Sequence, residues 1–98
     1  MMNTKDHILA TLRQLKPEIQ RKYKVKALGV FGSIVRGEQT AASDIDVLVD
    51  FGPQASLFDL VGLGLFLEEK LGQRVDVVSR GALRTEIRET VLREVAPV

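Results

Sequence analysis

Gly32-Ser33-Ile34-Val35-Arg36-Gly37, followed after a polar connection by Ser43-Asp44-Ile45-Asp46-Val47-Leu48-Val49-Asp50-Phe51, decides what fold this chain can adopt. Residues 25–31, Val-Lys-Ala-Leu-Gly-Val-Phe, are strand formers that run directly into Gly32-Ser33. A short helical turn over about residues 34–36 then ends at Gly37, a residue suited to a left-handed cap. The next strand runs from Asp44 to Phe51 and is stopped by Gly52-Pro53. Because strand side chains alternate, Asp44, Asp46, Leu48 and Asp50 point one way, and Ile45, Val47, Val49 and Phe51 point into the core.

Upstream, residues 4–23 carry Ile8, Leu12, Leu15 and Ile19 at the spacing of one buried helical stripe. Pro17 lacks the N–H that a helix interior needs, so a kink or restart is expected near Lys16. Downstream, Ser56 with Asp59 three residues on forms a capping-box pattern opening a helix that ends at Gly72. Leu57, Leu60, Val61, Leu67 and Leu71 are its expected apolar face, which Gly62 and Gly64 weaken locally. A third strand is expected at Arg74–Val78, and a last helix over about 83–95 with Leu83, Ile87, Val91 and Val95 on one side. The order is α-β-α-β-α-β-α, an α/β (α+β) domain. About ten residues separate the first two strands, which is short for a parallel crossover. The helical link from the second strand to the third permits a parallel pair, so the sheet should be mixed.

The chain has 98 residues, long enough for one domain, expected over 1–98. Its 45% hydrophobic and 28% charged composition is that of a globular protein, and a net charge of +1 argues neither for nor against a nucleic-acid partner. With no cysteine, disulfides, thiolate metal sites and cysteine nucleophiles are excluded. The N-terminus reads as a polar helix start rather than a signal segment, and no apolar run approaches the ~20 residues of a membrane span. A cytoplasmic protein is the expectation.

The chemistry lies in the carboxylates. Asp44 and Asp46, two positions apart on a strand, have Cα atoms roughly 6.5–7 Å apart, so their oxygens can converge on one hard cation or a close pair. A bound divalent ion relieves the repulsion this arrangement creates. By itself an Asp-x-Asp on a strand is more often a solvated face. Asp76 changes the weighting: aspartate is disfavoured within a strand, yet it sits in Val75-Asp76-Val77-Val78, able to face the first two from a paired strand. Magnesium is suited by a few carboxylates plus substrate phosphates, without histidine or cysteine. Gly32-Ser33, where a strand turns into a helix, offers backbone N–H groups and a hydroxyl to a phosphate, and Arg36 one turn on can add a planar cation.

Gly32–Gly37 as G-S-I-V-R-G, Ser43–Asp46 as S-D-I-D, and the separated strand aspartate Asp76 together resemble the polymerase-beta-like nucleotidyltransferase superfamily. The small size resembles its minimal nucleotidyltransferase branch, commonly the antitoxin partner of a HEPN-type ribonuclease toxin. The motifs cover roughly residues 25–80, and Val35 stands where small residues such as alanine are frequent. The resemblance implies that Gly32 and Ser33 hold the nucleotide triphosphate with support from Arg36. It implies that Asp44 and Asp46 bind Mg²⁺ (two ions, with Mn²⁺ an alternative), and that Asp76 completes one metal site and helps activate the attacking hydroxyl. The implied reaction moves AMP from ATP to a hydroxyl, in this branch a tyrosine of the toxin, in a hetero-oligomer with that partner. Two other functions stay open: an antitoxin that neutralises by stoichiometric binding alone, and the catalytic subunit of a two-chain nucleotidyltransferase with another acceptor.

His7, far from the motifs, reads as a surface residue, and Asp50 as a solvated one. Arg21, Lys22, Lys24 and Lys26 around Tyr23 could touch RNA or an acidic partner but read more readily as a solvated helix end, and Arg80, Arg84, Arg88 and Arg93 read more readily as helix surface than as a partner face. Direct nucleic-acid binding and membrane association are not expected.

Overall fold

A computed structural model describes residues 4–40 and 43–98. The first three residues, on which the reading of the N-terminus partly rests, lie outside them. Helix α1 (Thr4–Tyr23) leads into β1 (Val25–Phe31), the four-residue helix α2 (Ser33–Arg36) and β2 (Ile45–Phe51). Helix α3 (Leu57–Leu71), β3 (Val75–Ser79), a 3-10 turn at Arg80–Ala82, α4 (Thr85–Glu94) and a two-residue strand β4 (Ala96–Pro97) complete the chain. The sheet is mixed, as expected, in the order β3-β2-β1-β4. Strand β1 pairs antiparallel with β2 and β4, whereas β2 and β3 are parallel.

Alternation along β2 divides the molecule into two layers. Ile45, Val47 and Val49 are fully buried with Ile8, Leu12 and Ile19 of α1 and Leu63, Phe66 and Leu67 of α3. On the opposite face, Leu48 packs with Leu83 and Val91, and with Phe31, Val78 and Val95, in a smaller core beneath α4. The face that carries the aspartates is therefore not wholly polar. It is apolar in the middle and carboxylate-lined where β2 begins.

Several local expectations are corrected. Helix α1 does not restart at Pro17. The proline is exposed, and Leu12 and Ile19 on either side are completely buried, so packing outweighs the lost hydrogen bond. The buried face of α3 is Leu63, Phe66 and Leu67, while Leu57 and Val61 stand on its exposed side with Phe58 and Leu65. That helix is apolar nearly all round, so spacing alone could not select the stripe that faces the sheet. Ile87 of α4 is likewise exposed, and Leu83 reaches the small core from just before the helix. The capping pattern is present in structure: Ser56 N–H donates to Asp59 Oδ2 at 2.8 Å, and Gly72 caps the far end in the left-handed region.

Strand β4 is the element the sequence did not announce. A side chain at Gly29 would run into Val95 and the Ala96 carbonyl, so glycine there lets the C-terminal segment lie against β1. Val98 N–H donates to the Leu28 carbonyl at 3.0 Å, and Lys16 Nζ donates to the Val98 carbonyl at 3.0 Å. These contacts bring the end of α4 beside the point where β1 enters α2.

Candidate active site

Gly32 stands at that point with φ 81° and ψ −152°, a backbone region that side-chain-bearing residues seldom occupy. Its Cα faces the Asp46 carboxylate, and a methyl group added there would overlap Asp46 Oδ2. The turn and the acidic strand are thus in direct contact. Val35 and Arg36 N–H both donate to the Gly32 carbonyl, at 3.1 and 3.2 Å, which winds the next residues into α2. The N–H groups that open a helix's first turn have no intrahelical partner, so those of Ser33 and Ile34 lie outside the ladder. Gly37, with φ 74° and ψ 19°, ends the helix as the sequence suggested.

Asp46 and Asp76 are register partners across the parallel β2–β3 pair. Both lie on the α4 side of the sheet, since Val75 and Val77 pack into the main core and Val78 into the small one. Adjacent strands are about 4.8 Å apart, so two carboxylates face each other at close range. Asp44 falls one residue before the observed start of β2, and its Oδ1 lies 3.2 Å from Arg74 Nε. Among the described residues, no three acidic or histidine side chains are gathered tightly enough to hold a metal ion. The structure therefore brings Asp46 to Asp76 and to Gly32, and holds Asp44 alongside on an arginine.

Partial burial pushes the Asp46 carboxyl above its ordinary range, reinforced by the negative charges of Asp76 and Asp44. Arg36 opposes the rise and Glu94 adds to it, so both act on Asp46 from nearby. A half-buried carboxylate crowded by like charges, with oxygen the only donor type, is chemistry that fits a hard divalent cation.

Arg36 is not free. Its Nη1 donates to Glu94 Oε1 at 2.6 Å and its Nε to Glu38 Oε2 at 3.1 Å, and both carboxylates hold its pKa up. Glu94, Glu38 and Arg74 were not singled out in the sequence. Glu94 did carry a signal, because an acidic residue ending a helix opposes the helix dipole and so calls for a compensating cation. His7 is exposed, and Asp50 sits 4.0 Å from Arg80. Tyr23 is a core residue stacked at a tilt on Phe66, with Lys22 over both rings, rather than part of a basic surface.

The fold and the site define a class: an α/β domain whose glycine-serine turn and strand aspartates lie together at one end of the strands of a mixed sheet. The family described as nucleotidyltransferase domain matches residues 12–96. A protein of Thermococcus cleftensis named protein adenylyltransferase MntA is 44% identical over 97 residues, 99% of this chain and 98% of that protein. A solved structure described as a minimal nucleotidyltransferase is 41% identical, has a TM-score of 0.76, and aligns over 92% of this chain and 95% of its own. The tri-AMPylated Shewanella oneidensis HEPN toxin with its MNT antitoxin includes a chain that shares the fold at a TM-score of 0.65. Its identity is 18%, over 92% of this chain and 70% of that one. The chain belongs to the nucleotidyltransferase-domain family and is an enzyme of that class. Among the described residues, no helix is long and apolar enough to cross a membrane.

Proposed function

We propose that this chain transfers AMP from ATP to a tyrosine hydroxyl of a partner HEPN-type ribonuclease toxin, and so acts in the cytoplasm as the antitoxin. The observation that carries the reading is the contact of Gly32 with Asp46, the register partner of Asp76, which supports a phosphate loop and carboxylates working as one site. The relative's adenylyltransferase name and the AMPylated toxin of the Shewanella complex support the same chemistry.

In this reading, Gly32 and Ser33 bind the triphosphate through backbone N–H groups and the Ser33 hydroxyl. Asp46 and Asp76, with Asp44 once released from Arg74, would hold Mg²⁺ or Mn²⁺. When bound, the cation supplies charge that acidifies the acceptor hydroxyl and offsets charge on the departing pyrophosphate. Asp76 would accept the hydroxyl proton. The acceptor oxygen bonds to the α-phosphorus, the α–β phosphoanhydride bond breaks, and pyrophosphate leaves.

The test is co-expression with the partner, scored by growth and by intact mass. The partner should gain AMP and cells should survive with wild type. Asp44→Asn with Asp46→Asn should abolish both while leaving folding near normal. One observation favours a second reading, neutralisation by binding alone: Asp44 is engaged by Arg74 rather than gathered with its neighbours. That reading predicts full protection by the double variant and no AMP on the partner.

A further inference from the structure

We propose that Glu94 is a positioning residue of the transfer site, which fixes the Arg36 guanidinium at the lip of the phosphate loop. The inference rests on the nucleotidyltransferase reading and adds a residue 58 positions downstream of the arginine. Glu94 is the last residue of α4, and its side chain is 16% exposed, against 48% for Arg36. The acid is thus largely enclosed while the arginine keeps an open side.

Two carboxylates hold Arg36 from different directions. Glu38 takes Nε after the left-handed turn at Gly37 folds the chain back, and Glu94 takes Nη1 from α4. A guanidinium has five N–H donors in a rigid plane. Fixing Nε and one Nη1 proton fixes the plane and leaves three donors for an anion. A lysine at 36 could not be held this way, since its ammonium has no planar fork. Glu94 is itself steadied by the small core under α4, through Val91 and Val95, and by the pairing of β4 with β1. The same contacts that seat the C-terminal segment therefore place the acid that holds the arginine. The acid ends its helix where the dipole disfavours negative charge, so α4 alone gives no reason for it.

Calorimetry with AMP-PNP in the presence of Mg²⁺ tests this without requiring transfer. Glu94→Ala should weaken AMP-PNP affinity about 10-fold, in line with losing an outer-shell orienting partner. Glu94→Gln, which keeps shape and one acceptor, should stay within about threefold of wild type. Arg36→Ala should weaken binding at least as much as Glu94→Ala. Adding Glu94→Ala to Arg36→Ala should then cost nothing further, because Glu94 acts through the arginine. In turnover, the Glu94→Ala defect should fall mainly on KM for ATP rather than on kcat. Additive losses in the double variant would overturn the proposal and make Glu94 a fold residue. Tighter binding by Glu94→Ala would also overturn it, showing that Glu94 competes with phosphate for Arg36. Wild-type protein that binds no AMP-PNP would instead refute the nucleotidyltransferase reading itself.

Discussion

Replacing Gly32 by alanine separates the cost of a strained turn from the cost of a disturbed site. The native φ of 81° with ψ −152° costs a side-chain-bearing residue about 1–3 kcal/mol. The new methyl would also overlap the Asp46 carboxylate, so that group must swing away from its place opposite Asp76. In a domain of this size each kcal/mol moves Tm by roughly 4–8 °C, which puts the expected drop near 10 °C. Gly37→Ala is the matched control. It too has positive φ, but nothing lies within 4 Å of the added carbon. It should lose about 1 kcal/mol from the backbone alone and keep its activity. Thermal unfolding by circular dichroism, with AMP-PNP and Mg²⁺ titrations on the folded variants, gives both quantities. Gly32→Ala should bind both ligands at least ~10-fold more weakly, because a misplaced catalytic group by about 1 Å is enough to cost far more than that in rate. Equal Tm losses for the two variants, with nucleotide binding intact in both, would refute the claim that Gly32 exists to admit Asp46.

Three further outcomes are expected. Asp46→Asn should stabilise the fold at neutral pH, by less than about 1 kcal/mol given its solvent access, while transfer falls by orders of magnitude. The sign follows from the raised carboxyl: the folded state holds the proton more tightly, so wild-type stability rises as pH falls through that raised value toward the ordinary aspartate range and is lost as pH rises back through it, and melting curves of the variant should lack this gain. Asp59 is the opposite case, held low chiefly by the Ser56 N–H and then by Lys24. Its stabilisation is present above the ordinary aspartate range and lost as pH falls through the lowered value, so Asp59→Asn should lower Tm at pH 7 and flatten the acid limb. Calorimetry should show weak Mg²⁺ binding to the protein alone and markedly tighter binding with AMP-PNP, because phosphates complete the coordination shell. Equal affinity in both conditions would count against a shared site.

Much of this molecule was legible because its signals are local. The glycine at 32, the alternation through Asp46 and the Ser56–Asp59 cap each lie within a few residues of what they control, and each has the predicted backbone role. The pairing of Asp46 with Asp76 followed from two strand patterns and one parallel link. What could not be read depends on distant partners. Helix α3 offered two apolar stripes, and only the sheet chose Leu63, Phe66 and Leu67. Strand β4 is two residues long, too short for any periodicity, and exists because Gly29 leaves it room. Glu94 meets Arg36 across 58 residues, and Asp44 meets Arg74 across thirty. Sequence indicated that a cation stands near the loop, but not which acids would hold it.

Whether loop and carboxylates act together in adenylyl transfer is read most directly on the partner itself. Purified chain, purified HEPN partner, ATP and Mg²⁺ should be mixed and the partner followed by intact mass with tyrosine-level mapping. Mass gains in steps of one AMP on a tyrosine are expected with wild type, and loss of that gain by several orders of magnitude with Asp46→Asn, which should still bind the partner. A partner that stays unmodified with wild type while its ribonuclease activity is silenced, or equal modification by Asp46→Asn, would contradict that expectation.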